Sequence, residues 1–427
     1  MREHRMRIVV VGAGIAGLVA AASAHRAGHQ VAVIERSAPG SVAGAGISLW
    51  GNALRALDVI PSAPVPVKSG APTTRPSAPS TAAAVSLGQL VRAIGGAPRA
   101  GSPAGIRTPS GRWLVRATTG DNGELGRVTG LAVVHRADLQ RVLTDQVPPG
   151  TIRYQSTCIG VVQRPDGATV SWQGPDGEAT VEADLVIAAD GLRSPLRRAL
   201  WPDDPGVRYA GYTSWRGITA SPFELASGGE TWGRGERFGC LPLRDGRVYW
   251  FATASVPAGT GAGAGAEHAE VLRRFGAWHD PIPGLIAATS GQDVLHHDIH
   301  DLAGPLGSFV RGRVVLIGDS AHAMTPDLGQ GGCQAIEDAV TLTALLGASA
   351  GIPDALADYD RLRRGRTQAL AARARRIGQL GQLSSWASAG MRDCLLRMVP
   401  GSALVRASAS VQCWEPPSTP ELTRVGR

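Results

Sequence analysis

The run Ile8-Val9-Val10-Val11 leads straight into Gly12-x-Gly14-x-x-Gly17, and a helical pattern follows from Leu18 to Ala27 before Gly28. A β-branched strand, a glycine turn and a helix in that order leave few folds open, because together they make the first half of a βαβ unit. A second strand, Gln30 to Ile34, ends in Glu35. That acid lies 18 residues beyond Gly17, close to the ~20-residue offset at which a carboxylate meets a ribose. Gly12 turns the chain, Gly14 keeps side-chain atoms off a pyrophosphate, and Gly17 lets helix and strand pack closely. The first-turn amides and the partial positive charge of the helix start then hold phosphates. The pattern suits a dinucleotide and does not by itself distinguish NAD from FAD.

The same stretch imitates a secretory signal, with a basic Met1 to Arg7, an uncharged Ile8 to Ala24, and Ala22-Ser23-Ala24 as a small-residue cleavage site. The glycine spacing and Glu35 decide against that reading, and the run is short of the ~20 apolar residues that span a bilayer. The 427 residues suffice for two or three domains. Gly 56 and Pro 29 make about a fifth of the chain beside 43% hydrophobic residues, which marks a folded globular protein rather than a low-complexity chain. Five scattered cysteines without a C-x-x-C argue against a disulfide framework or a cysteine zinc site. A reducing, cytoplasmic setting is expected. The net charge of +8 is almost entirely arginine spread along the chain, and Lys68 is the only lysine. The arginines from Arg361 to Arg376 sit in a helical pattern as a solvated face, so neither nucleic acid nor a membrane span is expected.

Composition shifts after a short helical pattern from Asn52 to Leu57. Pro61 to Val85 is Pro, Ala, Ser and Thr with little apolar patterning, read as a flexible insertion. A hairpin turning at Ser110-Gly111 is expected within Ile106 to Thr118, then a strand from Leu131 to His135 and a helix from Ala137. A β-rich middle includes Gly211 to Ile218, Glu236 to Leu241 and Arg247 to Ala254, and long helical patterns occupy Gln334 to Leu346 and Pro353 to about Leu383. Gly261 to Ala266 formally fits G-x-G-x-x-A but lacks a following strand with a terminal acid, so it reads as a loop. In His296-His297-Asp298-Ile299-His300-Asp301, alternation puts His296, Asp298 and His300 on one strand face and His297 and Asp301 on the other. No zinc spacing results, and no metal is expected.

Three pieces stand in order: the glycine motif with Glu35; Asp190-Gly191 closing Leu185-Val186-Ile187-Ala188-Ala189; and Gly318-Asp319-Ser320-Ala321-His322-Ala323-Met324-Thr325-Pro326. Together they resemble the single-component, FAD-dependent aromatic hydroxylases, the group that includes para-hydroxybenzoate hydroxylase. The resemblance covers roughly residues 5 to 60 and 87 to 385. It implies an α/β fold with a Rossmann-like FAD-binding domain interleaved with a β-sheet substrate domain, plus C-terminal helices. The implied divisions are 1–60, 137–205 and 300–385 for FAD binding, 61–86 for the insertion, 87–136 and 206–299 for the substrate sheet, and 386–427 for the tail.

By this resemblance Gly12, Gly14, Ala16, Gly17, Glu35, Arg36, Ala45, Gly46, Arg136, Asp190, Gly191, Asp319, Pro326, Gly329, Gly331 and Gly332 would surround FAD. Glu35 would take the adenosine ribose, Asp319 the ribityl side, and Asp190-Gly191 the pyrophosphate and the nicotinamide cofactor. Gly329-Gln330-Gly331-Gly332 lets backbone approach a ring, and the helix start beyond it offers free amides to an anionic reduced flavin. Ala188 stands where many relatives have glycine. The implied cycle is reduction of FAD by NADH or NADPH, reaction with O2 to a flavin C4a-hydroperoxide, and oxygen transfer to an electron-rich aromatic or conjugated small molecule. Arg216 and Pro326 are the candidates at the reacting centre, with Tyr212, Trp215, Arg216, Trp232 and Trp250 as substrate contacts. A homodimer is the one assembly considered. Alternatives are a same-fold reductase, oxidase or halogenase, the last lacking its Trp-x-Trp-x-Ile-Pro, and a non-catalytic flavin or ligand binder.

Overall fold

The computed structural model describes residues 5–41, 44–63, 85–99, 101–118, 130–226, 228–263 and 265–417. Strand β1 (Arg7–Val11), helix α1 (Ile15–Arg26) and strand β2 (Gln30–Ile34) form the expected opening unit. β1 lies inside a six-stranded sheet ordered β17 (Val310–Arg311), β18 (Val314–Leu316), β11 (Leu185–Ala188), β1, β2 and β7 (Ile152–Arg153). Every pairing except β17 with β18 is parallel. A parallel sheet is covered on both faces, which is why β11 and β18 read as unbroken apolar runs. The alanine-rich α1 is buried from Ile15 to Ala24 and packs on the long helix α9 (Gly331–Ala348).

The β-rich middle is a seven-stranded sheet ordered β16 (Leu295–Leu302), β12 (Val207–Ile218), β15 (Val248–Ala254), β14 (Glu236–Pro242), β13 (Gly229–Trp232), β4 (Pro103–Arg107) and β5 (Trp113–Thr118). Helices α6 (Glu267–Phe275) and α7 (Ile282–Ala287) cover one face, where Trp215, Phe238, Trp250, Val271, Phe275 and Leu285 make a second core. The other face turns toward a two-stranded ribbon of β3 (Gly46–Trp50) and β6 (Leu131–His135), and Tyr249 lies against Gly46, whose Cβ would stand 2.2 Å from the ring. Strands β8 (Thr157–Arg164), β9 (Gly167–Gly174) and β10 (Gly177–Ala183) form a separate meander.

One boundary differs from the sequence expectation. Residues 87–136 are not all substrate sheet: α3 (Leu87–Ile94) buries Leu87 and Val91 in the main core beside α2 (Gly51–Asp58). A capping box explains that helix, since Ser86 Oγ accepts from the Gln89 amide and the Gln89 side chain accepts from the Ser86 amide. The ends of the insertion meet where Pro61 bridges Ser86, while 64–84 lies outside the described residues. Beyond α9 come α10 (Ile352–Gly381), α11 (Trp386–Arg397) and α12 (Gly401–Gln412). No helix among the described residues is long and apolar enough to cross a membrane.

Candidate functional site

Four parallel strands deliver their carboxyl ends to one edge, and each ends in a residue singled out by sequence: β1 at Gly12, β2 at Glu35, β11 at Asp190 and β18 at Asp319. Gly12 has φ +103°, and a Cβ there would meet the Ala189 carbonyl oxygen at 2.4 Å, so only glycine lets β1 turn beside β11. Gly318 has φ +60° and lies between Ala16 and Ala335, with a Cβ 2.9 and 3.2 Å from theirs. It thereby packs the start of α1 against the start of α9. Neither helix has a side-chain cap. Their first internal bonds are Leu18 to Gly14 and Gln334 to Gln330, so the earlier amides are left to a ligand.

The cradle is open where a ligand needs it to be. A Cβ on Gly14 would meet nothing within 4 Å, and one on Gly331 only Asp319 Oδ1 at 4.0 Å. Asp190 Oδ1 and Trp50 Nε1 are buried without a partner, polar atoms of the kind that a bound group satisfies. Asp190 Oδ2 accepts from the Leu196 amide at 3.2 Å, and burial raises this carboxyl above its ordinary range. Glu35 accepts from the Ala13 amide at 2.6 Å and the Ser37 amide at 2.7 Å, which fixes its carboxylate and leaves lone pairs for a hydroxyl. Asp319, Arg36 and Arg136 are exposed and without a partner among the described residues. Two uncapped helix starts, fixed carboxylates and unpaired polar atoms fit a dinucleotide such as FAD.

A buried ionic network stands behind the edge. Asp338 on α9 accepts from the Gly318 amide at 2.9 Å, from His322 Nε2 at 2.5 Å and from Arg363 Nε at 2.7 Å. Burial alone would raise its pKa, but the His322 and Arg363 charges bring it down to about 2. Arg363 also pairs with Glu337, which accepts from Asn52 at 2.6 Å and from Arg366 at 2.9 Å. The Gly318-Asp319 turn is therefore held from below. His322 belongs to this packing.

The face of the seven-stranded sheet that packs in part on the β3–β6 ribbon also carries Arg216 and His297. Strand register places Ser214 beside His297, Arg216 beside Leu295 and Phe251, and Ile218 beside Tyr249. Arg216 is half-buried with no hydrogen bond or ion pair among the described residues. His297 is solvent-accessible, yet desolvation, with Arg216, His296 and Arg136 nearby, lowers its pKa below the usual imidazole range. At the sheet's other end Asp327, next to Pro326, accepts from Tyr212 at 2.8 Å and pairs with the buried Arg237. This staple ties the Pro326 loop to the sheet.

A family model described as FAD binding domain matches residues 5–374. The chain belongs to that family. It is 36% identical over 405 residues to aurachin C monooxygenase/isomerase of Stigmatella aurantiaca, covering 92% of this chain and 94% of that protein. It is 33% identical over 377 residues to the FAD-dependent urate hydroxylase of Klebsiella pneumoniae, covering 87% and 89%. The structure of Klebsiella pneumoniae HpxO complexed with FAD and uric acid matches with a TM-score of 0.81 at 28% identity, covering 96% of this chain and 97% of that one. This protein is an FAD-dependent monooxygenase with the interleaved fold that the three motifs implied.

In this monooxygenase three of the expected substrate contacts are corrected, Trp215 and Trp250 by strand alternation and Trp232 by its packing away from Arg216. Trp215 and Trp250 share the reverse face with the second core. Trp215 donates to Glu267 at 2.6 Å and stacks on His296 at 5.1 Å, and Trp250 donates to Thr289 at 2.8 Å. Trp232 packs on Ile106, Leu114 and Leu396 and donates to Glu230. Tyr212 reaches the Pro326 loop, but its hydroxyl is spent on Asp327. Ala188, the departure from glycine, is fully buried, so its methyl group lies in the core and not in the open cradle. The sequence reading missed Tyr249, Phe251, Leu295 and His297 on the Arg216 face. Alternation from Arg216 along β12 was readable; which residues of β15 and β16 lie beside it depends on register, which no single strand carries.

Proposed function

We propose that this monooxygenase hydroxylates a bicyclic heteroaromatic bearing an ionisable N–H or O–H, with NADH or NADPH as the reductant and O2 as the oxygen source. The observation that carries this reading is the unpaired, half-buried Arg216 on its sheet face among Phe251, Leu295 and Tyr249. Apolar walls take a ring, and a lone guanidinium takes its anionic oxygen or nitrogen. Uric acid, the ligand in HpxO, has that character.

Bound FAD would supply the electron transfer and oxygen activation. Glu35 would hold a ribose hydroxyl, the α1 start and Asp190-Gly191 the pyrophosphate, Asp319 the ribityl chain, and Gly329 to Gly332 the ring, with Arg36, Ala45, Gly46 and Arg136 around them. The uncapped α9 start would favour negative charge beside it. Arg216 orients the substrate, and Pro326, steadied by Asp327, closes the ring side against water. We place the protein in the cytoplasm. A homodimer is supported by the outward apolar side chains of α11, with Trp386 at 80% and Met391 at 64% exposure, and sedimentation decides it.

The test is aerobic turnover of the FAD-loaded chain with NADH or NADPH and a heteroaromatic panel, read by mass spectrometry. A product heavier by one oxygen atom, dependent on both chain and reductant, supports the reading. Reductant consumed with hydrogen peroxide alone, whatever the ligand, defeats it.

A further inference from the structure

The Arg216 face of the sheet holds one imidazole that the site so far does not use. His297 projects from β16 beside Ser214 of β12, on the same face as Arg216. It has no side-chain hydrogen bond among the described residues. The other bases nearby are engaged. Asp327 is held by Tyr212 and Arg237, and Glu230 by Trp232 and Arg237. His296 and Asp298 lie on the reverse face, bonded to Thr213 and to the Gly259 amide. An accessible, unpaired imidazole next to an unpaired guanidinium is a pair that can separate a proton from an anion.

We propose that His297 is a catalytic base of this monooxygenase, accepting the N–H or O–H proton of a heteroaromatic substrate while Arg216 holds the anion that remains. The inference rests on the substrate reading above. In the step, the substrate's N–H or O–H bond breaks heterolytically. Its electron pair stays on the ring nitrogen or oxygen, and the proton passes to the free imidazole nitrogen, then to water at the accessible side of the ring. Nothing is oxidised or reduced. The resulting anion is more electron-rich, which favours transfer of an electrophilic oxygen to carbon.

The surroundings set the sign of the pH dependence. Arg216 from β12, Arg136 from the start of α4 (Arg136–Thr144) and His296 from the same strand all oppose a positive charge on His297, as does its desolvation. β3 brings no charged side chain to this face, since it reads Gly-Ile-Ser-Leu-Trp. His297 is therefore neutral and able to accept a proton at neutral pH, and it loses that ability only in acid below the usual imidazole range.

The experiment compares wild type, His297→Asn and His297→Gln as full-length, FAD-loaded proteins. Two probes are used: 4(1H)-quinolone, which is neutral at neutral pH, and urate, which is already an anion there. Wild type should show a one-proton acid limb in kcat/KM for the quinolone, and both variants should lose that limb and about 100-fold in rate. With urate the loss should shrink to a few-fold. The visible flavin spectrum and the melting curve of the loaded variants should match those of wild type, which shows that the variants are folded and loaded. Retention of the acid limb in both variants, or an equal loss on the two probes, overturns the base role. A wild type whose flavin is bleached by NAD(P)H but that oxygenates neither probe overturns the substrate reading, and this inference with it.

Discussion

The two walls of the site are built from different material. The edge of the six-stranded sheet is backbone: glycines, strand ends and two uncapped helix starts. The Arg216 face of the seven-stranded sheet is side chain: Arg216, Tyr249, Phe251, Leu295 and His297 from three strands. A wall of backbone tolerates no new atoms, because the ligand lies against the chain itself. A wall of side chains can change its ligand while the chain path stays put.

Filling the backbone wall should therefore have the largest effect. Gly14 has φ −72° and ψ −176°, open to any residue, and its Cβ meets nothing within 4 Å. Gly14→Leu should fold normally, place its side chain where the pyrophosphate lies, and weaken FAD binding at least about 1000-fold, or about 4 kcal/mol. Colourless protein with an unchanged apo melting curve is the expected result; a yellow variant would show that the phosphates run elsewhere. Removing support from beneath the same wall acts on stability instead. Asp338→Asn leaves Arg363 and His322 facing a neutral amide and should cost about 3 kcal/mol, the lower end for breaking a buried pair. The wild-type carboxylate titrates lower in the folded chain than its ordinary 3.8, at about 2. Its contribution is thus complete above pH 3.8 and lost as the pH falls toward about 2. Acid unfolding of the variant should lack that component.

The side-chain wall is tested by neighbours that point opposite ways. Arg216→Met should lower kcat/KM by about 30-fold, equivalent to about 2 kcal/mol for a lost charge-assisted bond, with little change in melting. Trp215→Phe should do the reverse, leaving KM alone while removing the donor to Glu267 Oε2 at a cost of about 1 to 3 kcal/mol. Equal kinetic damage from both would mean that the two faces are not separate.

This contrast also explains what could be read from sequence. The cradle was legible because each piece is a local pattern: Gly12-x-Gly14-x-x-Gly17, Asp190-Gly191 and Gly318-Asp319 each carry their own strand, turn and helix signal. Strands such as Leu131–His135 and the His296 alternation were legible for the same reason. The substrate face was not. Trp215 and Arg216 are adjacent in sequence and on opposite sides of one strand, and only cross-strand register says which side meets the cofactor. His297 joins the site through pairing with Ser214, 83 residues earlier.

One missed element was local and should yield the smallest effect. Ser86-Leu87-Gly88-Gln89 has the Ser-x-x-Gln form of a capping box, but it closes a Pro, Ala, Ser and Thr stretch and takes on its character when composition is averaged. In the fold the box starts α3, and Ser86 also donates to Asp58 at 3.1 Å. Ser86→Ala should cost about 1 kcal/mol of stability and leave flavin binding and turnover unchanged, because α3 packs on α2, α4 and β6 rather than directly on either wall. A loss of FAD affinity in that variant would instead join α3 to the cradle, through Asn52 on α2 and its bond to Glu337, and the backbone wall would then extend one helix further than its glycines do.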